Sequence, residues 1–514
     1  MGTKMFAAID VGSYELNLKI FEFLPDNRMK EIDSVRYGLD LGTDTFTTGK
    51  LPTEKINELC KILKEFALIM KSYKVTAYQA YGTSAIRETK NTKILLDQVE
   101  QRTGIHIEVL SNSRQRFLDY KSVASKGDDF DKIIEKGTAI VDIGGGSIQV
   151  SLFDHDTLIA TQNMKLGVLR LREYIQMLAA NPSKCEMLLD EMIGSQLAVF
   201  KKLYLKDREI ENMIVVDDYI SLLLQKKKIG SANAGYIESS KYEQFLEKIK
   251  NSSSERIRKE YDIADENMLP FFISAVIIKQ SAKVMGANLI WAPGVTLCDG
   301  IAYEYGEKSN LLKPDHNFEE DIIACAQNIS KRYMGSKKRS ETLEKIALTI
   351  FDTLKKAAGL SARDRLLLRL CAILHDCGKY ISLYDLGTCS YNIIMATEII
   401  GLSHEEREIV ANVVKFNHQP FEYYEQMARE TLIDNETYMR ITKLTAILRV
   451  ANGLDRSHKQ KFKNITTTIR EHEFLVTVYT NDDITLEKGL FKRRADFFEE
   501  VFSLRPLIKQ VKEI

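Results

Sequence analysis

The feature that most constrains this chain is a pattern it carries twice: an apolar run closing on an acid, a glycine-bearing turn with a serine, and a second run in which apolar and polar residues alternate. The first copy is Met5 to Asp10, Val11-Gly12-Ser13, then Leu16 to Phe23, where Leu16, Leu18 and Ile20 alternate with Asn17 and Lys19. The second is Thr138 to Ile143 with Asp142, the turn Gly144-Gly145-Gly146-Ser147, then Ile148, Val150 and Leu152 alternating with Gln149 and Ser151. An unbroken apolar run marks a strand covered on both faces, and alternation marks one with two unlike faces, so each copy is predicted to be a β-hairpin with an acid at its tip. Glycines at the tip let several backbone N–H groups converge on an anion, so the second copy reads as a phosphate cradle. Asp142 is placed there to hold a metal ion or orient a water. An acid before a Gly-rich turn is also a common β-turn, and two turns can coincide. Two hairpins gripping one phosphorylated ligand is the reading that gives both copies one task.

Between the copies, helix-like and strand-like segments alternate, which predicts a parallel or mixed sheet flanked by helices. Pro52-Thr53 opens a helix with Ile56, Leu59, Leu63, Phe66 and Met70 on one face. Val75 to Ala80 is a strand, Asn91 to Thr103 a helix, Ile105 to Leu110 a strand and Ser113 to Ala124 a helix. Tyr81 to Arg87 falls at a strand-to-helix junction, where Thr83, Ser84 and Arg87 suit phosphate contact and equally suit a plain helix cap. After the second copy, Leu158 to Met164 is strand-like, Lys165 to Glu173 leads into a helix, and Pro182-Ser183 with Glu186 reads as a capping box. Lys226-Lys227-Lys228 reads as a solvated face. Met268 to Met285 is apolar, but Lys279, Lys283 and its helical spacing mark a packed helix rather than a membrane span.

A chain of 514 residues exceeds one hydrophobic core; roughly three or four units are expected. Its 72 basic and 72 acidic residues cancel, which argues against bulk nucleic-acid or membrane binding and makes any polyanion site local. Seven cysteines without CxxC spacing fit free thiols in a reducing compartment. No targeting segment is read at the start, so the cytoplasm is the expected location.

Four stretches together resemble the exopolyphosphatase and guanosine pentaphosphate phosphohydrolase (Ppx/GppA) family of the actin-like ATPase superfamily. They are Asp10-Val-Gly-Ser13, Gly82-Thr-Ser-Ala-Ile-Arg-Glu-Thr-Lys-Asn91, Val141-Asp-Ile-Gly-Gly-Gly-Ser147 and Leu166-Gly-Val-Leu-Arg-Leu171. The resemblance covers nearly the whole chain. It implies an α/β fold of two actin-like (ribonuclease H-like) subdomains, residues 1–127 and 128–312, closing on a phosphate chain. It further implies Mg²⁺ beside the loop acids Asp10 and Asp142, phosphates held by Gly12, Ser13, Thr83, Ser84, Arg87, Gly144, Gly145, Gly146 and Ser147, and glutamates that activate water. The ligands implied are inorganic polyphosphate or guanosine polyphosphates, with a homodimer and no sequence-specific nucleic acid.

Three departures accompany the likeness. The family's second hairpin ends Gly-Gly-Gly-Ser-Thr-Glu, whereas here Ile148 and Gln149 follow Ser147; a glutamine orients water but does not deprotonate it at neutral pH. The family's Ser-Gly-x-Glu-Glu-Ala aligns with Ser111-Asn112-Ser113-Arg114-Gln115-Arg116, putting Arg114 or a neutral neighbour where the base is expected. A Gly-Gly-Thr turn falls at Val215 to Tyr219 without glycine. Grip is therefore expected to survive and base catalysis to be weakened or lost, leaving slow hydrolysis or a polyphosphate- or guanosine tetraphosphate-binding regulator. Arg114 suits polyanion binding, and Glu15 and Glu108 are candidate substitute acids.

Beyond a linker at Leu312 to Phe318, Ile322 to Ile329, Leu343 to Leu354 and Leu366 to Leu374 show helical spacing, giving an all-α region over 313–460. His375-Asp376 resembles the pair of an HD-type phosphohydrolase domain, whose metal needs four ligands. The upstream position falls in Lys337 to Thr342 without a His, and the downstream acid is replaced by Asn452. With two ligands left, no metal is expected there, and His375 with Asp376 is expected to be a structural hydrogen-bonded pair. His404 and His418 read as extra ligands or, in preference, as polar helix-face residues. Lys331-Arg332, Lys337 to Arg339 and Lys492 to Arg494 read as solvated surface or as a polyphosphate track. Residues 461–514 are predicted to be a small α+β unit, with strands at Ile465 to Ile469 and Phe474 to Tyr479 and a helix from Ala495 to Phe502.

Overall fold

The computed structural model describes residues 4–178, 184–226, 229, 235–314, 316–430, 433–462 and 464–512. Pro182 and Ser183 of the predicted capping box, and Lys227 and Lys228, lie outside the described residues. The chain divides into two compact units, Met1–Phe318 and Glu319–Ile514.

The first unit opens with strands β1 (Lys4–Val11), β2 (Glu15–Leu24), β3 (Arg28–Gly38), β4 (Ala77–Gly82) and β5 (Glu108–Val109), arranged β3-β2-β1-β4-β5. Among them run helices α1 (Thr53–Ser72), α2 (Ser84–Glu88) and α3 (Asn112–Ala124). β1 is antiparallel to β2 and parallel to β4. Side chains alternate across a strand: Ala7, Ile9 and Val11 pack with Leu59, Leu63 and Phe66 of α1, while Phe6 and Ala8 pack on the other face with Leu118 of α3. Both faces of β1 are thus buried, which is why its sequence is apolar without a break. Each such side chain contributes about 1.5–3 kcal/mol. Asp10 continues the Phe6-Ala8 series and so turns toward the face that α3 covers.

Strands β6 (Thr138–Ile143), β7 (Ile148–Asp154), β8 (Thr157–Met164), β9 (Asn212–Val216), β10 (Tyr236–Glu238) and β11 (Leu289–Trp291) form the second sheet, ordered β10-β11-β9-β6-β7-β8. Its helices include α4 (Val168–Met177), α5 (Ile220–Gln225), α6 (Met268–Met285) and α7 (Leu297–Lys308). Ala139, Val141 and Ile143 of β6 enter the core that α6 helps to build, so Asp142 turns to the opposite face. α6 is long and apolar enough to cross a membrane, and 67% of it is buried inside the protein. Helix α7 returns to the first sheet and packs on β1, β2 and α3; the half that follows residue 127 is therefore not one contiguous body. The crossing is close: a Cβ on Gly300 would lie 1.9 Å from the Leu118 carbonyl oxygen.

Two elements differ from expectation. β3 is an eleven-residue strand with a polar sequence, alternately exposed along its length, and so carries no apolar signal. The strand predicted over Ile105 to Leu110 is reduced to Glu108–Val109, although Ile105, Ile107 and Leu110 are buried.

The second unit contains helices α8 (Lys337–Leu354), α9 (Ala362–Leu374), α10 (His404–His418), α11 (Asn435–Leu454) and α12 (Thr485–Phe502), with a sheet of β12 (Asn464–Arg470), β13 (Glu473–Tyr479) and β14 (Arg505–Val511). The first two strands form the expected antiparallel pair, and β14 adds a parallel partner to β13. α12 starts ten residues earlier than the predicted Ala495.

Candidate functional site

The two predicted hairpins exist and close with the same turn. Gly12 N donates to Glu15 O at 3.0 Å, and Gly144 N donates to Ser147 O at 3.0 Å. Strand register repeats as well: Asp10 lies opposite Asn17, and Asp142 opposite Gln149. Each acid therefore faces an amide across its own hairpin. The tips meet. A Cβ on Gly145 would stand 3.0 Å from Ser13 Cβ, and one on Gly146 would stand 2.8 Å from Ser84 Oγ, so only glycine permits this approach. Ser13 and Ser84 hydroxyls share a hydrogen bond at 2.8 Å, and Thr83 N donates to Val11 O at 3.2 Å.

Between the tips lies a cavity of about 80 Å³ lined by Asp10, Gly12, Ser13, Thr83, Ser84, Asp142, Gly144, Gly145 and Ser147 among others. That gathers most of the residues expected from the sequence. Gly146 abuts Ser84 beside the cavity. Gln149 is buried opposite Asp142 with its Oε1 lacking a hydrogen-bond partner.

The lining also holds Tyr14, Glu15, Asn17, Gln115, Asp119, Asp217 and Asp218, which motif reading passed over apart from Glu15. The result is an acid-rich cleft. Burial, then the neighbouring Glu15 charge, pushes the Asp10 carboxyl up to about 7, and burial pushes Asp142 to about 6. Asp119 is driven well above the carboxylate range, first by burial and then by Asp142. Buried carboxylates crowded this way resist ionising together. Phosphates would be repelled unless a cation intervened.

Hydrogen bonding separates these acids. Asp217 accepts from Tyr219 N, Ile220 N, Ser221 N, Ser221 Oγ and Ser274 Oγ at 2.7–3.1 Å, so it caps the turn into α5 where the family has a glycine pair. Asp218 accepts from Tyr14 OH, whose ring stacks on Tyr219 at 5.8 Å. Glu15 accepts from Asn17 Nδ2 at 2.8 Å and lies 3.9 Å from Arg36. Asp10 Oδ1, Asp119 Oδ2 and Asp142 Oδ2 are buried without a partner, as is Asn17 Oδ1. Among the described residues no three His, Cys, Asp or Glu side chains form a ready cage for a metal ion. Mg²⁺ does not require one, being held by one or two carboxylates with waters and phosphate oxygens. The unpartnered acceptors of Asp10, Asp142 and Asn17, which line the cavity, fit such an ion.

Arg114 does not join the cleft. It forms a two-pronged pair with Glu304 of α7, Nη1 to Oε1 being 2.7 Å. Burial alone would raise Glu304, but Arg114 brings it down to about 2. A gain in cleft charge from Arg114 is thus not what the structure contains; the guanidinium is engaged elsewhere. Arg87 also stands outside the cavity lining, donating to Leu110 O at 2.6 Å, and burial lowers it to about 10. Glu108 is exposed on β5.

In the second unit, His375 Nδ1 donates to Ala372 O at 2.8 Å, and its Nε2 lies 3.8 Å from Asp376 Oδ2. That separation is too long for the expected hydrogen bond. Arg339 of α8, from the segment where a His was sought, sits 3.8 Å from Asp376 and donates to Asn452 Oδ1 at 3.0 Å. A buried guanidinium thus stands beside the retained Asp376 and the altered Asn452, and Arg339 is not solvated surface. His418, at the end of α10, is half-buried, and its Nε2 donates to His375 O at 2.7 Å. His404 is exposed.

The sequence pattern of the Ppx/GppA phosphatase family matches residues 24–308, and that of Ppx/GppA phosphatase domain III matches residues 323–493. Exopolyphosphatase 1 of Mycobacterium tuberculosis is 29% identical over 170 residues, covering 32% of this chain and 48% of that protein; the match spans about half that relative's length. The guanosine-5'-triphosphate,3'-diphosphate pyrophosphatase of Vibrio atlanticus is 19% identical over 463 residues, covering 86% of each. The crystal structure of the Aquifex aeolicus Ppx/GppA family member aligns with a TM-score of 0.51 at 20% identity, covering 60% of this chain and 99% of that one, a likeness of actin-like fold. With one family pattern covering more than half of the chain, the second hairpin included, and a second pattern covering the helical unit, this chain belongs to the Ppx/GppA phosphatase family.

Proposed function

We propose that this protein is a Mg²⁺-dependent phosphoanhydride hydrolase that releases orthophosphate from the end of inorganic polyphosphate, with guanosine pentaphosphate as the alternative substrate. One observation carries the reading. Buried, unpartnered oxygens of Asp10 and Asp142 face a cavity whose rim is built from glycines and hydroxyls of both hairpins. Acid on one side and convergent small donors on the other is what a metal–phosphate pair needs.

In this reading Asp10 and Asp142, assisted by the amide oxygen of Asn17, would hold Mg²⁺, which when bound offsets phosphate charge and polarises a phosphoryl oxygen. The hydroxyls of Ser13, Thr83, Ser84 and Ser147 and the tip N–H groups other than those of Gly12, Thr83 and Gly144, which already donate to backbone carbonyls, orient the terminal phosphoryl group. The close tips exclude bulk water. Phosphoryl transfer draws mainly on such positioning and electrostatics.

The test is phosphate release from long-chain polyphosphate and from guanosine pentaphosphate with Mg²⁺. Wild type is expected to turn over, and Asp142→Ala to lose at least a hundredfold, with weaker Mg²⁺ binding by calorimetry. Salt-sensitive polyphosphate binding without release above a blank would make the protein a binding or regulatory member instead.

A further inference from the structure

Two loops of the second unit carry a surface that the cleft leaves unused. The helix Phe318–Arg332 is followed by Tyr333 and Met334, and the short 3₁₀ turn Cys377–Tyr380 runs on into Ile381-Ser382-Leu383-Tyr384. The rings of Tyr333 and Tyr380 meet edge to face at 5.7 Å, and a Cβ on Gly335 would lie 3.4 Å from Asp376 Oδ1, so the loops stand side by side. Together they display apolar side chains to solvent. Met334 is 80% exposed and Leu383 83%, Tyr384 is wholly exposed, and Tyr380 and Ile381 are more than half exposed. Met334 also holds a left-handed backbone, φ 58°, at the helix-end position that glycine usually takes; the following Gly335 N donates to Ser330 O at 2.8 Å. A bulky residue that is both strained and unburied gains nothing from the interior, and neighbouring exposed apolar groups mark a docking surface.

Charge selects what docks. Lys331, Arg332, Lys337 and Lys338 flank Met334, and Lys379 precedes Tyr380; no acid occurs from Lys331 to Ser340 or from Cys377 to Tyr384. Part of this charge is engaged: Arg332 lies 5.9 Å from the Tyr333 ring, Lys337 3.8 Å from Glu341 and Lys379 3.3 Å from Asp376. Lys331 and Lys338 are exposed. The chain as a whole carries no net charge, so this cationic rim is a local feature. A second copy seated through the same face would set these cations against their own equivalents. A protein partner needs a hollow fitted to each projecting side chain, whereas hydrocarbon takes in projections of any shape. We propose that these loops dock the protein on an anionic lipid surface. Met334, Ile381 and Leu383 enter the acyl boundary, Tyr380 and Tyr384 rest at the level of the headgroups, and the lysines meet lipid phosphates. No helix is inserted; α6, apolar enough to span a membrane, is packed in the core of the first unit.

The experiment is sedimentation of the full chain with vesicles of phosphatidylcholine, alone or with about 30% phosphatidylglycerol to supply negative charge. Binding is expected to the anionic vesicles, weakening as salt rises, and to be roughly tenfold or more weaker to the neutral ones. The triple variant Met334→Ser, Leu383→Ser, Tyr384→Ser removes only exposed groups, so its thermal midpoint should match wild type while vesicle affinity falls about tenfold or more. The triple variant Lys331→Gln, Lys337→Gln, Lys338→Gln should lose about a hundredfold, some fivefold for each cation near such a surface. Leu383→Trp adds a reporter: its emission should shift to the blue and be quenched by brominated lipid on binding, while buried Trp291 stays unchanged. The proposal is overturned if wild type ignores anionic vesicles, or if the serine variant binds them as wild type does. It is overturned equally if the serine variant passes from dimer to monomer by light scattering with no vesicle binding by wild type, which would make the face a contact between copies. Loss of long-chain polyphosphate binding in the glutamine variant, again without vesicle binding by wild type, would make the rim a polyphosphate track instead.

Discussion

Removing Arg114 would take from Glu304, almost wholly buried on α7, its two-pronged partner and leave it Lys121 and Lys308. Losing hydrogen bonds to a buried charge costs about 1.5–3 kcal/mol, so Arg114→Ala is expected to lower the thermal midpoint by a few degrees. Arg114→Glu should be worse, since it sets a second carboxylate against Glu304. Restoring a family-like glutamate there thus unfolds more than it activates, and a midpoint equal to wild type would refute this account. The cradle residues were legible in the sequence because glycines and short hydroxyls at a turn state a local backbone requirement. Asp119 was not, because whether a helical residue faces a cleft or solvent depends on how α3 docks. Its one signal was an acid set among Phe117, Leu118 and Tyr120, a buried stretch.

At the level of elements, the crossing of α3 and α7 depends on Gly300. A methyl group there would press on the Leu118 carbonyl, and overpacking of this kind costs about 1–3 kcal/mol. Gly300→Ala should therefore lower stability by that order and also reduce phosphate release, since α3 carries Gln115 and Asp119 into the cleft. Gly194→Ala, a control in the same unit where an added Cβ meets nothing within 4 Å, should leave phosphate release unchanged. Activity equal in both variants would mean that α3 does not set the site. The hairpins could be read from sequence because alternation is a local property of a strand. β3 and β14 could not: an edge strand with a polar sequence, and a last strand whose partner is separated from it by the whole of α12, are defined by pairing rather than by pattern. Arg339 belongs here too. A missing histidine told that a metal ligand was gone, but only the packing of α8 beside Asn452 showed that a guanidinium stands in its neighbourhood.

For the molecule as a whole, acid should act on the two units differently. Burial lowers His418 from its usual value to about 4 and lowers the adjoining His375 as well. Both are neutral when folded, so the unfolded chain takes up protons as pH falls through about 6.5 while the folded second unit does not. Its stability is full above that pH and is lost progressively toward 4, by up to about 3 kcal/mol for His418. Glu304 in the first unit is displaced the other way, to about 2, so its contribution persists above 4.5 and disappears only as pH falls through 2. The single tryptophan, Trp291, is buried in the first unit against Tyr236. At pH 5, helix loss followed by far-ultraviolet circular dichroism should precede the change in Trp291 fluorescence on heating; coincident curves at pH 5 that separate at pH 7 would contradict the assignment. The cavity between the hairpin tips has a consequence of its own. It is small, with about 80 Å³ of room for water-sized molecules. In the proposed hydrolase such a space would act as a gauge, favouring the end of a phosphorylated chain, which can enter a tight seat, over its middle, which would have to thread through.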